Sequence, residues 1–176
     1  MPPRPPQAWA HRQGRIAMRP LEAADFGPEA LAARARIADA LHRFGVAHDE
    51  AQLGPLASCF TEDAVLEIAE ASAEPFARFE GRAEIRERLS RVIAEQEDQR
   101  RHLIGDVLVD ELDLSAGTAT AIAFGLVSVA ADGTVRWGAT VIYHAHLRRE
   151  DDGCWRISAF FIGMDAYVGT RPVNGE

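Results

Sequence analysis

Two short runs of ionisable residues, His48-Asp49 and Arg101-His102, stand where acid–base chemistry is expected. The first run ends an amphipathic segment, and the second opens the alternating apolar run 101–114. A carboxylate and an imidazole that share a hydrogen bond can pass a proton between them, and the carboxylate fixes the tautomer of the ring. We therefore predict that the fold joins Asp49 and His102 at the bottom of an apolar pocket. There they would act as the catalytic pair that removes a proton next to a carbonyl.

An apolar pocket should also change the pKa of both groups. Burial disfavours the charged form, so it tends to raise the pKa of Asp49 and to lower that of His102. We expect Asp49 to approach neutrality and His102 to stay uncharged and basic. The proton then returns to a leaving hydroxyl or to another carbon, and no cofactor is needed.

Each of these residues also has a purely structural interpretation. His102 could cap a loop at the end of a strand, and Asp49 could be a helix-end acid that pairs with Arg43 or Arg101. His48 could be a buried helix-end histidine whose ring is satisfied by backbone groups. The sequence leaves these alternatives open.

Other chemistries find less support in the sequence. It contains no glycine-rich phosphate loop, and the residues around Ser128 do not form a nucleophile elbow. His144 and His146 share one face of a predicted strand and could bind a metal, but no third ligand stands at a recognisable spacing. We expect no metal site, and interpret the pair as part of an exposed or interface face.

The elements that must position the pair can be predicted from periodicity. Residues 29–48 are predicted to form a helix, because Ile37, Leu41, Phe44 and His48 recur on a single apolar stripe. The stripe places His48 on the buried face, and Asp49 follows about 100° further round the helix.

The rest of the chain changes from helical to strand periodicity. We predict a short helix at 51–60, a turn at 61–63, short strands at 64–68 and 76–79, and a helix at 82–99. Four longer strands follow at 101–113, 117–130, 135–149 and 154–165, with glycine-containing hairpin turns between the later ones. Helices followed by an antiparallel meander indicate an α+β domain whose helices cover one face of a curved sheet.

Composition sets the broad class. A chain of 176 residues with 47% hydrophobic residues predicts one domain with a sizeable core. The net charge of −8 argues against nucleic acid or an anionic membrane as a partner. Cys59 and Cys154 are predicted to be two buried, reduced thiols, which indicates a cytoplasmic protein.

The predicted domain does not include the ends of the chain. Residues 1–28 are rich in proline and arginine and are interpreted as an arm that lies against something, such as a neighbouring subunit. Residues 29–167 form the domain, and residues 168–176 are interpreted as a tail. No run of residues is apolar enough for a membrane span.

Four local patterns, in this order and spacing, carry a resemblance to a known family. They are IADALHRFGVAHDEAQL (37–53), CFTEDAVLEI (59–68), FEGRAEIRERL (79–89), and RHLIGDVLVD (101–110) with the closing GCWRISAF (153–160). Together they resemble the SnoaL-like branch of the nuclear-transport-factor-2-like superfamily over about residues 30–166. The resemblance implies a cone: a curved mixed sheet wrapped around a pocket and closed by three N-terminal helices.

The resemblance also implies roles for particular residues. Asp49 and His102 match the aspartate and histidine that share the pocket in dehydratase-like members. Tyrosines near that aspartate are replaced here by Phe44 and His48, so His48 could be a pocket donor and Tyr143 could supply the missing hydroxyl. Asp106 stands either in the pocket as a second acid or in a bulge that faces water. We expect six residues to bind the substrate: Phe44, His48, Asp106, Phe124, Trp137 and Tyr143.

The function we expect is a cofactor-independent dehydratase, isomerase or cyclase acting on an apolar polycyclic or polyketide-like small molecule. One alternative is a non-catalytic binding or assembly module, such as a ring-hydroxylating dioxygenase small subunit. Another is a hydrolase whose water is held by Asp49, Asp106 and His102. Because family members usually bury the outer face of the sheet against a second copy, we also expect a homodimer or a higher homo-oligomer.

Overall fold

The computed structural model describes Trp9 and residues 16–20, 26–71 and 74–167, and the statements below concern these parts of the chain. Residues 26–167 contain three helices and six strands, so the predicted α+β class is confirmed. The helices are α1 (Pro28–Asp49), α2 (Leu53–Ser58) and α3 (Arg82–Ala94). The strands are β1 (Phe60–Glu70), β2 (Ala77–Glu80), β3 (Gln99–Asp113), β4 (Thr118–Ala131), β5 (Thr134–Arg149) and β6 (Trp155–Tyr167).

The strands form one curved, unclosed sheet in the order β2-β1-β6-β5-β4-β3. The predicted meander is present, since β3 to β6 pair in sequence order and antiparallel. Strand β1 joins β6 in parallel, which makes the sheet mixed. As a consequence β3, the strand that carries His102, is an edge strand with one partner only.

Helix α1 closes the inner face of the sheet. Pro28 stands in its first turn, where a missing N–H costs nothing. The predicted stripe of Ile37, Leu41, Phe44 and His48 is buried. Within it, Phe44 packs edge-on against Phe60 of β1 and Phe160 of β6. The helix ends at Asp49, so its last turn delivers this carboxylate to the edge of the sheet beside β3.

Three local predictions were wrong. Residues 61–63 belong to β1 rather than to a turn, because Phe60 and Thr61 are fully buried and the strand absorbs an irregularity before Val65. Helix α3 ends at Ala94, and Gln99 already pairs in β3. Cys59 is buried as expected, but Cys154 is exposed because it stands in the turn before β6.

The N-terminal arm is described at Trp9 and at residues 16–20. Trp9 is buried against the outer face of the sheet, where its indole Nε1 donates to Asp165 Oδ1 over 2.9 Å and its ring packs edge-on against Phe161. A Cβ on Gly163 would lie 2.9 Å from the indole, so the ring can pack at this position only because Gly163 has no side chain. In this structure the described part of the arm lies on its own chain's sheet. The other arm residues and the predicted tail, 168–176, lie outside the described residues.

The outer face beyond the arm is apolar and exposed. Leu103 on β3 pairs with Leu126 on β4, Phe124 is 58% exposed, and Trp137 near the start of β5 is 64% exposed. We call these four residues the outer patch. None of the helices in the described part of the chain has the length and hydrophobicity to cross a membrane.

Helix α1 approaches β3 closely at Gly45. A Cβ built on Gly45 would lie 3.2 Å from Ile104 Cδ1 and 3.3 Å from His102 Cβ. Both distances are shorter than ordinary van der Waals contact, so a larger side chain must push the helix away from the strand. The absence of a side chain at Gly45 therefore sets the separation between the helix that ends in Asp49 and the strand that carries His102.

We predict that Gly45→Val lowers the free energy of unfolding by about 1–3 kcal/mol, the usual cost of overpacking a close contact. Urea unfolding measures it. The matched control is Ala35→Val, at an exposed position of the same helix, which carries only the small helix-propensity cost of valine. Equal effects of the two substitutions would contradict a close contact at Gly45.

Candidate active site

Asp49 and His102 lie in direct contact. The His102 ring Nδ1 lies 2.5 Å from Asp49 Oδ1, and the His102 backbone N–H donates to Asp49 Oδ2 over 2.6 Å. The side chains of Asp49 and His102 are 6% and 14% exposed. The carboxylate thus receives one hydrogen bond on each oxygen from the same residue, which leaves the pair little freedom to rotate.

The position of β3 at the edge of the sheet explains this geometry. An edge strand has backbone N–H groups that no neighbouring strand accepts, and the carboxylate at the end of α1 accepts one of them. Gln99 reinforces the junction, since its Nε2 donates to the Asp49 carbonyl oxygen over 3.3 Å. The end of α1 is therefore joined to the start of β3 by side-chain hydrogen bonds.

The arginines that could have neutralised Asp49 pair with other acids. Arg101 lies 3.0 Å from Glu50 Oε1, and Arg43 lies 2.5 Å from Asp39 Oδ2. Asp49 is thus not a helix-end acid bridging to either arginine. Its partner is the imidazole of His102.

The pKa of Asp49 is set by two opposing effects. Burial alone favours the neutral acid, but the hydrogen bonds from the His102 ring and backbone and the nearby ring of His48 stabilise the charged form. They hold the pKa of Asp49 well below its usual range. Our expectation that Asp49 approaches neutrality is therefore wrong, and the group is a carboxylate at neutral pH.

His48 is buried beside the pair. Its ring packs edge-on against the His102 ring with centroids 4.9 Å apart, and its Nδ1 lies 3.8 Å from Asp49 Oδ1. This Nδ1 has no hydrogen-bond partner among the described residues, so the interpretation as a ring satisfied by backbone groups does not hold for that atom. Burial lowers the pKa of His48 and outweighs the attraction of Asp49, so its ring is predominantly neutral.

Aromatic rings continue the site into the core. Phe44 lies 6.3 Å from the His48 ring and 5.0 Å from Phe160, and Tyr143 stacks on Phe160 at 5.5 Å. Burial and the negative charge of Asp49 raise the pKa of Tyr143, so its hydroxyl keeps its proton. The fold thus brings together five of the predicted site residues: Phe44, His48, Asp49, His102 and Tyr143.

Three other predicted site residues lie elsewhere. Asp106 is exposed in a β-bulge of β3 with a φ of 50°, so the bulge alternative describes its position. Phe124 and Trp137 belong to the outer patch, and the structure does not bring them to the Asp49–His102 pair.

Gly125 is a position beside the candidate site that sequence reasoning missed. A Cβ on Gly125 would lie 2.5 Å from Cε2 of Tyr143, so the tyrosine ring can lie flat against the sheet only because this residue lacks a side chain. A glycine inside a strand commonly marks such a close approach. That signal was present in the run AFGLV (123–127).

The described cavities lie away from the pair. One of about 1130 Å³ opens between the start of α1 and the second half of β3, where Arg34 and Leu112 line it. Another of about 360 Å³ lies on the outer face beside His144 and His146. Neither of these two cavities is lined by Asp49 or His102.

The same residues have the composition of a metal site. One ligand atom each from His48, Asp49 and His102 lie within 4.8 Å of one another. Imidazole nitrogens and a carboxylate oxygen are ordinary ligands of zinc and other divalent transition metals. His144 and His146, the pair considered from the sequence, have ring centroids 5.1 Å apart on the outer face.

Comparison with known proteins places this fold and site in a family. The family model of the SnoaL-like domain matches residues 29–160. The chain belongs to the SnoaL-like family. The predicted resemblance is confirmed, and no curated protein matches the chain in sequence.

Solved structures share the fold at low identity. A Mycobacterium tuberculosis protein of unknown function is 25% identical, with a TM-score of 0.69, and the match covers 82% of this chain and 80% of that one. A Novosphingobium aromaticivorans protein described as the beta subunit of an aromatic-ring-hydroxylating dioxygenase is 16% identical, with a TM-score of 0.69 and coverages of 80% and 94%. ActVI-ORFA from Streptomyces coelicolor is 23% identical, with a TM-score of 0.63 and coverages of 74% and 96%.

We predict that stability falls as the pH drops from about 7 to about 5, in part because of His48. Its pKa is lowered in the fold, so in this range the unfolded chain binds a proton that the folded chain does not. His144 has a lowered pKa and acts in the same direction. Asp49 does not change the stability between pH 7 and pH 5. Its lowered pKa stabilises the fold fully at any pH above the pKa of an aspartate in the unfolded chain, and this stabilisation is lost only at lower pH.

Urea unfolding at several pH values measures this effect. His48→Gln should make the free energy of unfolding less dependent on pH. His42→Gln, at an exposed position of the same helix, should leave the pH dependence that comes from the burial of His48 unchanged. Parallel profiles for wild type and His48→Gln would show that His48 titrates alike in the folded and unfolded chains.

Proposed function

We propose that this protein is a cofactor-independent acid/base enzyme, a dehydratase, isomerase or cyclase, that acts on an apolar polycyclic or polyketide-like small molecule. The observation that carries the proposal is the buried hydrogen bond of 2.5 Å between Asp49 and His102. Membership of the SnoaL-like family, which includes polyketide cyclases, supports the same reaction class.

In this proposal His102 is the base and Asp49 positions it. Asp49 is ionised, so it accepts the proton of His102 Nδ1, and that tautomer leaves the lone pair on Nε2. The second carboxylate oxygen holds the backbone of the same residue. Nε2 is therefore the atom that meets the substrate.

The reaction moves one proton and one electron pair. Nε2 takes a proton from the carbon next to a carbonyl, and the electron pair of that C–H bond delocalises onto the carbonyl oxygen as an enolate. The resulting imidazolium is stabilised by the negative charge of Asp49. The same proton then returns, either to a departing hydroxyl, which leaves as water, or to another carbon of the substrate.

Neighbouring side chains suit an apolar substrate with a carbonyl. Tyr143 keeps its proton, so its hydroxyl is able to donate at neutral pH, and we assign it as the donor to the developing oxyanion. Phe44 and Phe160 supply apolar walls. We assign the buried, neutral His48 as a second polar contact for the substrate.

A non-catalytic binding module is the rival with an observation in its favour. Neither described cavity reaches the pair, whose side chains are at most 14% exposed. A pair that never meets a ligand would serve only to join α1 to β3. Variants of the pair separate this role from catalysis, because a joining role affects stability and leaves no reaction to lose.

We predict that Asp49→Asn and His102→Gln each reduce turnover by about 10²–10⁴-fold, the usual contribution of general acid–base catalysis. The double variant should lose about as much as either single one, because the two groups act as a unit. Proton abstraction can be measured without knowing the product, as deuterium uptake from D₂O next to the carbonyl of polycyclic ketones, followed by NMR.

The matched control is Asp39→Asn, an exposed acid on the same helix that pairs with Arg43. It should keep full exchange activity. Melting curves of all variants establish that the folded fraction is unchanged at the assay temperature. Loss of exchange only in step with unfolding would transfer the assignment to the binding module. Full exchange by folded Asp49→Asn would instead remove Asp49 from the proposed mechanism.

We also propose that the outer patch is buried against a second copy of the chain. Exposed leucine, phenylalanine and tryptophan side chains on one sheet face are costly in water and are typical of protein interfaces. A twofold interface between two copies would cover them.

Sedimentation equilibrium at micromolar concentration should find a dimer or a multiple of it. Phe124→Asp should shift the equilibrium toward monomer without unfolding the chain, because the side chain is already 58% exposed. Leu31→Asp, at an exposed position on α1, is the control and should leave the assembly intact. A monomeric wild-type protein would refute the interface.

A further inference from the structure

The unpartnered nitrogen of His48 has a consequence beyond proton transfer. The His48 side chain is 8% exposed, and its Nδ1 is buried without a hydrogen-bond partner among the described residues. Burying a polar atom without a partner is unfavourable, so such atoms in folded proteins usually mark a ligand or a functional role. The nearest oxygen of the acid/base pair, Asp49 Oδ1, is 3.8 Å away, too far for a hydrogen bond.

We propose that His48, Asp49 and His102 bind a divalent transition-metal ion, with zinc and cobalt as the best fits. The ligand atoms are Nδ1 of His48, Oδ1 of Asp49 and Nδ1 of His102. Two imidazoles and one carboxylate leave a fourth position for water or a ligand oxygen. The site can be tested without the proposed reaction, although it shares Asp49 and His102 with it, because binding of the ion requires neither substrate nor turnover.

The distances require only small movements. Zinc bonds of about 2.0–2.2 Å in a tetrahedral arrangement place ligand atoms about 3.4 Å apart. The His48–Asp49 separation of 3.8 Å is close to that value. The His102–Asp49 separation of 2.5 Å must widen, as expected when an ion replaces a shared proton. The free ligand atoms already lie within 4.8 Å of one another.

The surroundings favour this position over other histidines. The second carboxylate oxygen of Asp49 stays bonded to the His102 backbone N–H, which orients the first oxygen toward the ion. Among the described residues, His144 and His146 do not form a comparable cluster of three ligand atoms with a carboxylate. His102 keeps a single ring proton on binding, which moves from Nδ1 to Nε2.

Metal binding and proton abstraction exclude one another. With Nδ1 on the ion and the proton on Nε2, His102 has no lone pair left to act as a base. The metal-free protein is therefore the form that carries out acid–base chemistry, and the ion inhibits it.

The test uses the full-length protein after treatment with a chelator. Titration with Co²⁺ should produce the visible absorption bands of a low-symmetry nitrogen–oxygen site at one ion per chain, and Zn²⁺ should displace them. Zn²⁺ should also raise the melting temperature, since a ligand that binds only the folded state stabilises it. These readouts do not involve turnover, so they stand even if the proposed reaction fails.

Variants locate the ion. His48→Gln and Asp49→Asn should each weaken Co²⁺ binding by at least about tenfold, the lower bound for perturbing a metal site. The double variant His144→Gln/His146→Gln should bind like wild type, and circular dichroism establishes that each variant is folded. Absence of cobalt bands at millimolar Co²⁺, unchanged binding by both folded site variants, or loss of binding only in the His144/His146 variant would refute the site.

Discussion

The hydrogen bonds between one carboxylate and one residue organise this molecule. Asp49 accepts from the ring and from the backbone N–H of His102, so it both closes the open edge of β3 and holds an imidazole in one orientation. A carboxylate buried to this degree would normally become neutral, but two donors keep it charged. The hydrogen bond that joins the helix to the sheet therefore also orients the imidazole of His102.

That contact depends on how closely two elements approach. Gly45 lets α1 lie against Ile104 and His102 without a side chain between them. On the neighbouring strands, Gly125 lets Tyr143 lie flat beneath the same region. At both positions the lack of a side chain is what allows the neighbouring group to lie so close. The polar groups are therefore held in an otherwise apolar interior by the shape of the packing around them.

The two faces of the sheet serve different purposes. The inner face carries the rings and the acid/base pair under α1, whereas the outer face holds Trp9 at Gly163 and leaves the outer patch exposed. An arm that covers part of a sheet limits the area left for any other partner. The outer patch lies apart from Trp9, around the junction of β3 and β4.

The contact between Asp49 and His102 was predicted with the help of the family resemblance. Periodicity along the chain was enough to predict the helices, the four long strands and the buried stripe that includes His48. These features follow from local pattern and element order, which the sequence carries directly. The sequence could not decide the charge of Asp49, because that depends on donors contributed by a strand about fifty residues away. Nor could it place Asp106 or Phe124, since a bulge and the inward or outward direction of a strand are set by pairing with neighbouring strands. The unpartnered Nδ1 of His48 likewise exists only once the surrounding elements have packed and excluded water.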